Sequence, residues 1–180
     1  MLKIAIVGNI AAGKTSVEKI LDSKGFKIFD TDKIAHEILA KSEEIKETFG
    51  TTDRKEIAKI VFTNPDKMKV LESIIHPKVK NKLEEIFSMD YKSVFVSVPQ
   101  LFEAGFETLF DKIIYVTADI DIRKKRLMAR NSLNEEEALI RIKAQKENGK
   151  SDKCDFVIQN NGSLEELEKK VDDVLSILVG

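Results

Sequence analysis

The chain has 180 residues and a mass of 20.4 kDa, which suits one compact domain with a modest insertion better than two large domains. Its 30 basic and 31 acidic residues leave a net charge of -1, which gives no general attraction to nucleic acid. The longest apolar runs are too short to cross a bilayer, and no leader-like segment precedes the first predicted strand. We therefore expect a cytoplasmic protein with no nucleic-acid or membrane partner. The sequence does not indicate an oligomeric state, so a monomer is the default.

The first predicted elements form a strand, a loop and a helix. A β-rich run at residues 2–7 stops at Gly8, and apolar residues then recur at helical spacing from Lys14 to Ser23. Gly25 ends that helix, and residues 26–29 form a second short strand. This strand leads directly into an acidic segment and a further helix.

The middle of the chain has no convincing strand. Helical patterns cover it, with breaks predicted near Gly50, Pro65 and Pro77. We expect a helical subdomain here, at about residues 35–90, inserted into the surrounding domain.

Two continuous apolar runs follow, and they are typical of strands buried on both faces of a parallel sheet. They are Ser93–Val98 and Lys112–Thr117. The later predicted elements are two charged helices, a short strand and a closing helix, at residues 119–130, 134–150, 156–158 and 163–178. Alternating strands and helices predict a single α/β domain over residues 1–180, with a doubly wound parallel sheet of about five strands.

The segment between the first strand and the first helix matches the phosphate-binding pattern G-x-x-x-x-G-K-[ST], in the context that this pattern requires. Its residues are Gly8, Asn9, Ile10, Ala11, Ala12, Gly13, Lys14 and Thr15. Successive backbone N–H groups suit a β-phosphate, and Lys14 is placed to reach the β- and γ-phosphates. We expect the Thr15 hydroxyl to ligate Mg²⁺ bridging those phosphates. The chain lacks an NKxD-like guanine-recognition element, which favours ATP over GTP.

Two carboxylates, Asp30 and Asp32, follow the second strand, at the sheet edge where ligands bind in open α/β folds. One of them is suited to accept the proton of an acceptor hydroxyl during phosphoryl transfer. The other can cap the following helix, and the residues alone do not say which has which role.

Arginines on the two charged helices are candidates for contact with a transferring phosphoryl group, because a guanidinium matches phosphate geometry. These are Arg126, Arg130 and Arg141. Arg123 and the two lysines after it are interpreted as a solvent-exposed charged face. The polar stretch at about residues 131–150 is predicted to act as a lid that excludes water.

Several segments, in order along nearly the whole chain, resemble motifs of the dephospho-CoA kinase family. After the phosphate-binding loop come counterparts of its DADxxA, LExxxHP, VPLLFE, RLxxR, AQ and VIxNxG elements, at residues 30–35, 71–77, 98–103, 126–130, 144–145 and 157–162. The individual matches are weak, whereas their order and spacing are specific. The chain departs from the family pattern at Asn9 and Ala11, where glycine is usual, at His36, where arginine is usual, and at Gln100, where leucine is common.

The resemblance implies a role for several residues. Asp32 is then the base on the acceptor side, with Asp30 beside it, and His76 helps to shape the acceptor subdomain. Arg130 and Arg141 belong to the phosphate and lid region, and Asn160 lies at the adenine end of ATP. A buried structural histidine explains His76 nearly as well.

The family resemblance also implies a reaction, in which ATP with Mg²⁺ phosphorylates the ribose 3′-hydroxyl of dephospho-CoA to give CoA and ADP. A nucleoside monophosphate kinase is the enzyme alternative, since it would share the same donor site. A non-catalytic nucleotide-dependent switch is the alternative from another class. The lone cysteine, Cys154, is interpreted as an inert residue in or near the core.

Overall fold

The computed structural model describes residues 1–145 and 150–179. The strands are β1 (Leu2–Gly8), β2 (Ile28–Asp30), β3 (Ser93–Ser97), β4 (Lys112–Thr117) and β5 (Phe156–Gln159). The helices are α1 (Lys14–Ser23), α2 (Thr31–Lys41), α3 (Glu43–Phe49), α4 (Arg54–Phe62), α5 (Pro65–Phe87), α6 (Ile120–Asn131), α7 (Glu135–Ala144) and α8 (Leu164–Val179). Short 3₁₀ helices span Glu107–Leu109 and Ser151–Lys153.

The five strands form one sheet in the order β2-β3-β1-β4-β5. The central strand β1 pairs in parallel with β3 and β4, and β4 pairs in parallel with β5. Ile6 lies opposite Ser97, and Gly8 lies opposite Val116. The predicted α/β fold with a parallel sheet of five strands is confirmed. Parallel strands end at one edge of a sheet, so the ends of β1, β3 and β4 share the edge that carries the phosphate-binding loop.

The chain divides into two compact units, each with its own apolar core. The first unit comprises Met1–Phe29 and Lys92–Gly180, and the second comprises Asp30–Tyr91. The core of the first unit includes Ile4, Ile6, Val17, Phe95, Ile114, Val116, Ile158 and Val171. The core of the second includes Leu39, Ile45, Ile57, Val61, Leu71 and Ile74. The acceptor-binding role of residues 35–90 and the lid role of residues 131–150 stay predictions.

The helix breaks predicted in the middle of the chain were right at two positions and wrong at one. Gly50, with a φ of 77°, follows the end of α3, and Pro65 is the first residue of α5. Pro77, however, lies inside α5, which continues to Phe87. A proline removes only its own N–H bond and crowds one carbonyl, so a long helix packed through Leu71, Val79 and other apolar residues can retain it.

The second charged helix is shorter than predicted. Helix α7 begins after Asn134, whose side chain forms a capping box with Glu137, and ends at Ala144. Gln145 is already extended, with φ -78° and ψ 121°. Residues 146–149 of the predicted helix and lid lie outside the described residues. Within the described part of the chain, no helix is both long enough and apolar enough to cross a membrane.

Candidate functional site

The phosphate-binding loop connects the central strand to α1, and glycines are required at both of its ends. A Cβ atom at Gly8 would lie 2.7 Å from the carbonyl oxygen of Val116 on the paired strand. Gly13 has a φ of 99°, and a Cβ atom there would lie 2.1 Å from Nδ2 of Asn160. Both glycines therefore allow a close approach that a side chain would block, and Gly13 also provides the left-handed conformation.

The backbone N–H groups of the loop fall into two sets. Three have partners: Asn9 N donates to Val116 O at 3.1 Å, Ala12 N to Asn9 O at 3.0 Å, and Ile10 N to Oε1 of Gln145 at 2.7 Å. Four N–H groups have no hydrogen-bond partner among the described residues. They belong to Ala11, Gly13, Lys14 and Thr15. Unpartnered N–H groups at a helix N-terminus are the donors that a phosphate group needs.

Side chains from later in the chain hold two carbonyl groups of the loop. Arg123 Nε donates to Ile10 O at 3.0 Å. Asn160 Nδ2 donates to Ala12 O at 2.8 Å, and Arg126 donates to the same oxygen at 3.3 Å. The apolar side chains of Ile10 and Ala11 also pack against a small core formed by α6 and α7. The loop is thus held by contacts from α6, from Gln145 at the end of α7 and from Asn160 after β5.

The catalytic lysine candidate lies at the start of α1 and has two partners. Lys14 Nζ is 2.7 Å from a carboxylate oxygen of Glu18, and it also donates a short hydrogen bond to the Ser97 hydroxyl. Its side chain is 19% exposed, so the ammonium remains accessible to a ligand. The Thr15 side chain, one residue further on, is exposed. Phosphate binding by Lys14 and Mg²⁺ binding by Thr15 stay predictions.

Arg123 was assigned to a solvent-exposed face, and this prediction is wrong. Its side chain is 1% exposed, and its Nε contacts the loop carbonyl described above. Leu127, four residues later, is completely buried on the same helix. A spacing of four places both residues on one helix face. The apolar side chain of Leu127 was therefore the feature of the sequence that could have indicated burial of Arg123.

The other predicted arginines differ in their surroundings. Arg126 is partly buried against the loop, as described above. Arg130 is exposed and donates from Nε to Asn131 Oδ1 at 2.9 Å, and Arg141 is exposed on α7. A phosphate-binding role for Arg130 and Arg141 stays a prediction. Exposed guanidinium groups are at least accessible to a ligand.

Three further candidates belong to the second unit. Asp30 caps α2: its Oδ1 accepts hydrogen bonds from the backbone N–H groups of Asp32 at 2.8 Å and Lys33 at 3.4 Å. Asp32 is exposed in the first turn of that helix. His76 is half-buried within α5, one residue before Pro77. The capping role, left open between the two aspartates, therefore goes to Asp30.

Three polar contacts at the loop were not predicted as site contacts. Glu18 follows Lys14 by four residues, the spacing at which helical side chains form ion pairs, so its contact was recognisable. Ser97 ends β3 beside β1, but only the strand order reveals that proximity. Gln145 matched a family motif, although nothing in the sequence indicated its bond to Ile10. In the described residues, no group of three or more His, Cys, Asp or Glu is placed to hold a metal.

Cys154 lies apart from these contacts. Burial raises the pKa of its thiol to about 11, and the negative charge of Asp155 adds to the shift. The thiol therefore stays protonated at neutral pH, and its Sγ donates to the carbonyl oxygen of Lys150 at 3.0 Å. These properties agree with the interpretation of Cys154 as an inert residue.

Comparisons with known proteins show which family this chain resembles in sequence. Residues 2–166 match the family described as dephospho-CoA kinase. A dephospho-CoA kinase of Fusobacterium nucleatum is 42% identical over 182 residues, which cover 94% of each chain. A crystal structure from Thermus thermophilus has a TM-score of 0.86 at 37% identity, covering 99% of this chain and 98% of the other. Dephospho-CoA kinase from Campylobacter jejuni has a TM-score of 0.75 at 32% identity, covering 97% and 95%. The chain belongs to the dephospho-CoA kinase family.

Proposed function

We propose that this protein transfers the γ-phosphoryl group of ATP to the ribose 3′-hydroxyl of dephospho-CoA, which gives CoA and ADP. The observation that carries the proposal is the set of four N–H groups at the start of α1 that have no hydrogen-bond partner among the described residues, together with the Lys14 side chain beside them. Membership of the dephospho-CoA kinase family, matched over residues 2–166, supports this acceptor and this reaction.

On the donor side, the loop N–H groups would hold the β-phosphate while Lys14 neutralises charge between the β- and γ-phosphates. Lys14 Nζ is expected to exchange its contact with Glu18 for phosphate oxygens when ATP binds. The Glu18 carboxylate and the phosphates are both anions that compete for the one ammonium group. Arg130 and Arg141 are proposed to approach the transferring group from α6 and α7. These steps position the reactants and stabilise charge.

Thr15 is exposed, and its hydroxyl oxygen is suited to be a protein ligand for Mg²⁺. A bound Mg²⁺ would supply positive charge to the β- and γ-phosphate oxygens. No cluster of acidic side chains is required for this, because phosphates and water provide the other oxygen ligands in such sites.

On the acceptor side, we assign Asp32 as the general base and Asp30 as the cap that holds the first turn of α2. The cap uses the Asp30 carboxylate to bind backbone N–H groups. Asp32 lies exposed in that turn, where its carboxylate can align the 3′-hydroxyl and accept its proton. His76 and the other helices of residues 35–90 are proposed to form the binding surface for dephospho-CoA.

The test is a comparison of acceptors. ADP production from ATP and Mg²⁺ is measured with dephospho-CoA, AMP, CMP or no acceptor, and CoA is identified by its mass. We expect selective formation of CoA, which Lys14→Ala abolishes. Turnover of AMP or CMP in its place would contradict the assigned acceptor and indicate a nucleoside monophosphate kinase. Nucleotide binding with no acceptor-dependent turnover would indicate a nucleotide-dependent switch.

We place the reaction in the cytoplasm as a further part of the proposal. The lone cysteine with its protonated thiol is suited to a reducing compartment. Fractionation of cells into soluble and membrane portions, with CoA-forming activity as the readout, tests this location. A monomer remains the default, and sedimentation velocity would measure it.

A further inference from the structure

Two of the four loop N–H groups that have no partner among the described residues lie next to the two carbonyl groups that side chains contact. A peptide bond joins the carbonyl of Ile10 to the N–H of Ala11, and another joins the carbonyl of Ala12 to the N–H of Gly13. No cis peptide bond occurs in the described residues. In a trans peptide plane the C=O and N–H bonds point in opposite directions. A side chain that fixes the direction of one of these carbonyls therefore also fixes the direction of the adjacent N–H, which points the opposite way.

Two of the three side chains on these carbonyls are almost fully buried and come from separate elements, whereas the third, Arg126, is only partly buried. Arg123, on α6, is 1% exposed and contacts Ile10 O at 3.0 Å. Asn160, after β5, is 6% exposed and contacts Ala12 O at 2.8 Å. Its own backbone N–H donates to Thr117 O at 2.7 Å, which anchors it to β4. Both side chains are almost fully buried, so water has little access to compete for these contacts.

The backbone between these contacts adopts a conformation that needs support. Ala11 has a φ of 60°, and in the described chain only one other non-glycine residue has a positive φ. An alanine in this region is less stable than in the ordinary helical or extended regions. The hydrogen bonds to the carbonyls of Ile10 and Ala12 oppose relaxation of Ala11 to a negative φ. Such strain persists only where the surroundings determine it.

We propose that Arg123 and Asn160 are positioning residues for ATP binding. They hold the Ile10–Ala11 and Ala12–Gly13 peptides so that the N–H groups of Ala11 and Gly13 face the phosphates. Asn160 acts through the loop and does not select the adenine base. This inference rests on the proposed function only in taking ATP as the donor.

The first test measures ADP affinity by calorimetry in the whole protein. Arg123→Gln is compared with Lys125→Gln, which removes an exposed charge from the same helix. We expect a rise of about 10-fold or more in the ADP dissociation constant for Arg123→Gln, as the loss of one charge-assisted hydrogen bond implies. The KM for dephospho-CoA should stay near its original value, and Lys125→Gln should bind ADP normally.

A second substitution separates positioning from the effect of charge. Glycine adopts a positive φ without strain, so Ala11→Gly should restore part of the ADP affinity lost in Arg123→Gln. Lost charge could not be restored in this way. An affinity loss that Ala11→Gly leaves unchanged would overturn the positioning role of Arg123, as would a fall in melting temperature with unchanged ADP affinity.

The third test uses Asn160→Ser and compares ATP with GTP. A residue that positions the loop should weaken both nucleotides by the same factor, whereas a residue that recognises adenine should change their ratio. A changed ratio would overturn the positioning role of Asn160. These measurements remain distinct from the proposed function: a wild-type protein that binds ADP but forms no CoA would contradict the proposed reaction and not the positioning role. Unchanged ADP affinity in both variants, beside a CoA-forming wild type, would contradict only the positioning role.

Discussion

Gly13 meets two separate requirements at the start of α1. Its φ of 99° favours glycine, and its missing Cβ leaves room for the amide of Asn160. Gly25, beyond the other end of the same helix, has a φ of 85° but nothing within 4 Å of its ideal Cβ position. The two glycines therefore separate the cost of backbone strain from the cost of a displaced neighbour.

Gly13→Ala should destabilise the protein more than Gly25→Ala. We expect about 1–2 kcal/mol for Gly25→Ala from the left-handed backbone alone. Gly13→Ala should cost about 1 kcal/mol more, because the displaced Asn160 loses its hydrogen bond to Ala12. Urea unfolding of both variants measures the difference. Equal destabilisation would show that Asn160 adapts at no cost.

Asp32→Asn should lower kcat by about 10²–10⁴-fold, because the amide cannot accept the acceptor proton. The ATP dissociation constant should change little, since the proposed donor site lies elsewhere in the chain. Asp30→Asn is the matched control: asparagine caps a helix as well as aspartate does, so α2 keeps its first turn. Initial rates at saturating substrates compare them. A larger loss of kcat in Asp30→Asn would move the role of general base to Asp30.

At the scale of elements, periodicity and turn residues indicated most of the sheet. Buried parallel strands consist of continuous apolar runs, so the β4 prediction matches the structure at both ends, whereas short β2 is displaced by about two residues at its start. The environment of Arg123 was mispredicted because a charged residue is ordinarily solvated, and its carbonyl partner lies 113 residues away in sequence. Contacts between residues far apart in sequence depend on tertiary packing, which a local sequence pattern does not encode.

Helix α5 continues through a proline that predicts a helix break. Proline disfavours a helix interior, yet Pro77 is exposed within a continuous helix of 23 residues. Pro77→Ala should restore one backbone hydrogen bond and raise the free energy of unfolding by about 1–3 kcal/mol. Part of the gain is offset because alanine makes the unfolded chain more flexible.

Lys80→Ala, an exposed change on the same helix, is the control for Pro77→Ala and should alter stability by less than about 0.5 kcal/mol. Thermal unfolding by circular dichroism compares the variants. A lower melting temperature for Pro77→Ala would mean that the proline ring makes packing contacts worth more than the recovered hydrogen bond.

At the scale of the whole molecule, the proposed donor and acceptor sites lie in different compact units. The first unit, Met1–Phe29 with Lys92–Gly180, contains the loop and the side chains that hold it. The second, Asp30–Tyr91, contains the proposed base and the helices proposed to bind dephospho-CoA. A ligand stabilises the state it binds, by about 2.7 kcal/mol at a concentration of 100 times its dissociation constant.

Hydrogen exchange should therefore separate the two ligands by unit. ADP with Mg²⁺ should slow exchange in peptides of the first unit, above all those covering residues 8–23. The phosphates are expected to accept hydrogen bonds from the loop N–H groups and so protect them from exchange. Dephospho-CoA should slow exchange in peptides from residues 30–91, and AMP, which lacks the pantetheine arm, should protect fewer of them. The mass gain of each peptide, with and without ligand, is the measurement. Protection by dephospho-CoA confined to the first unit would show that the helical insertion does not bind the acceptor, because a bound ligand must limit local opening where it makes its contacts.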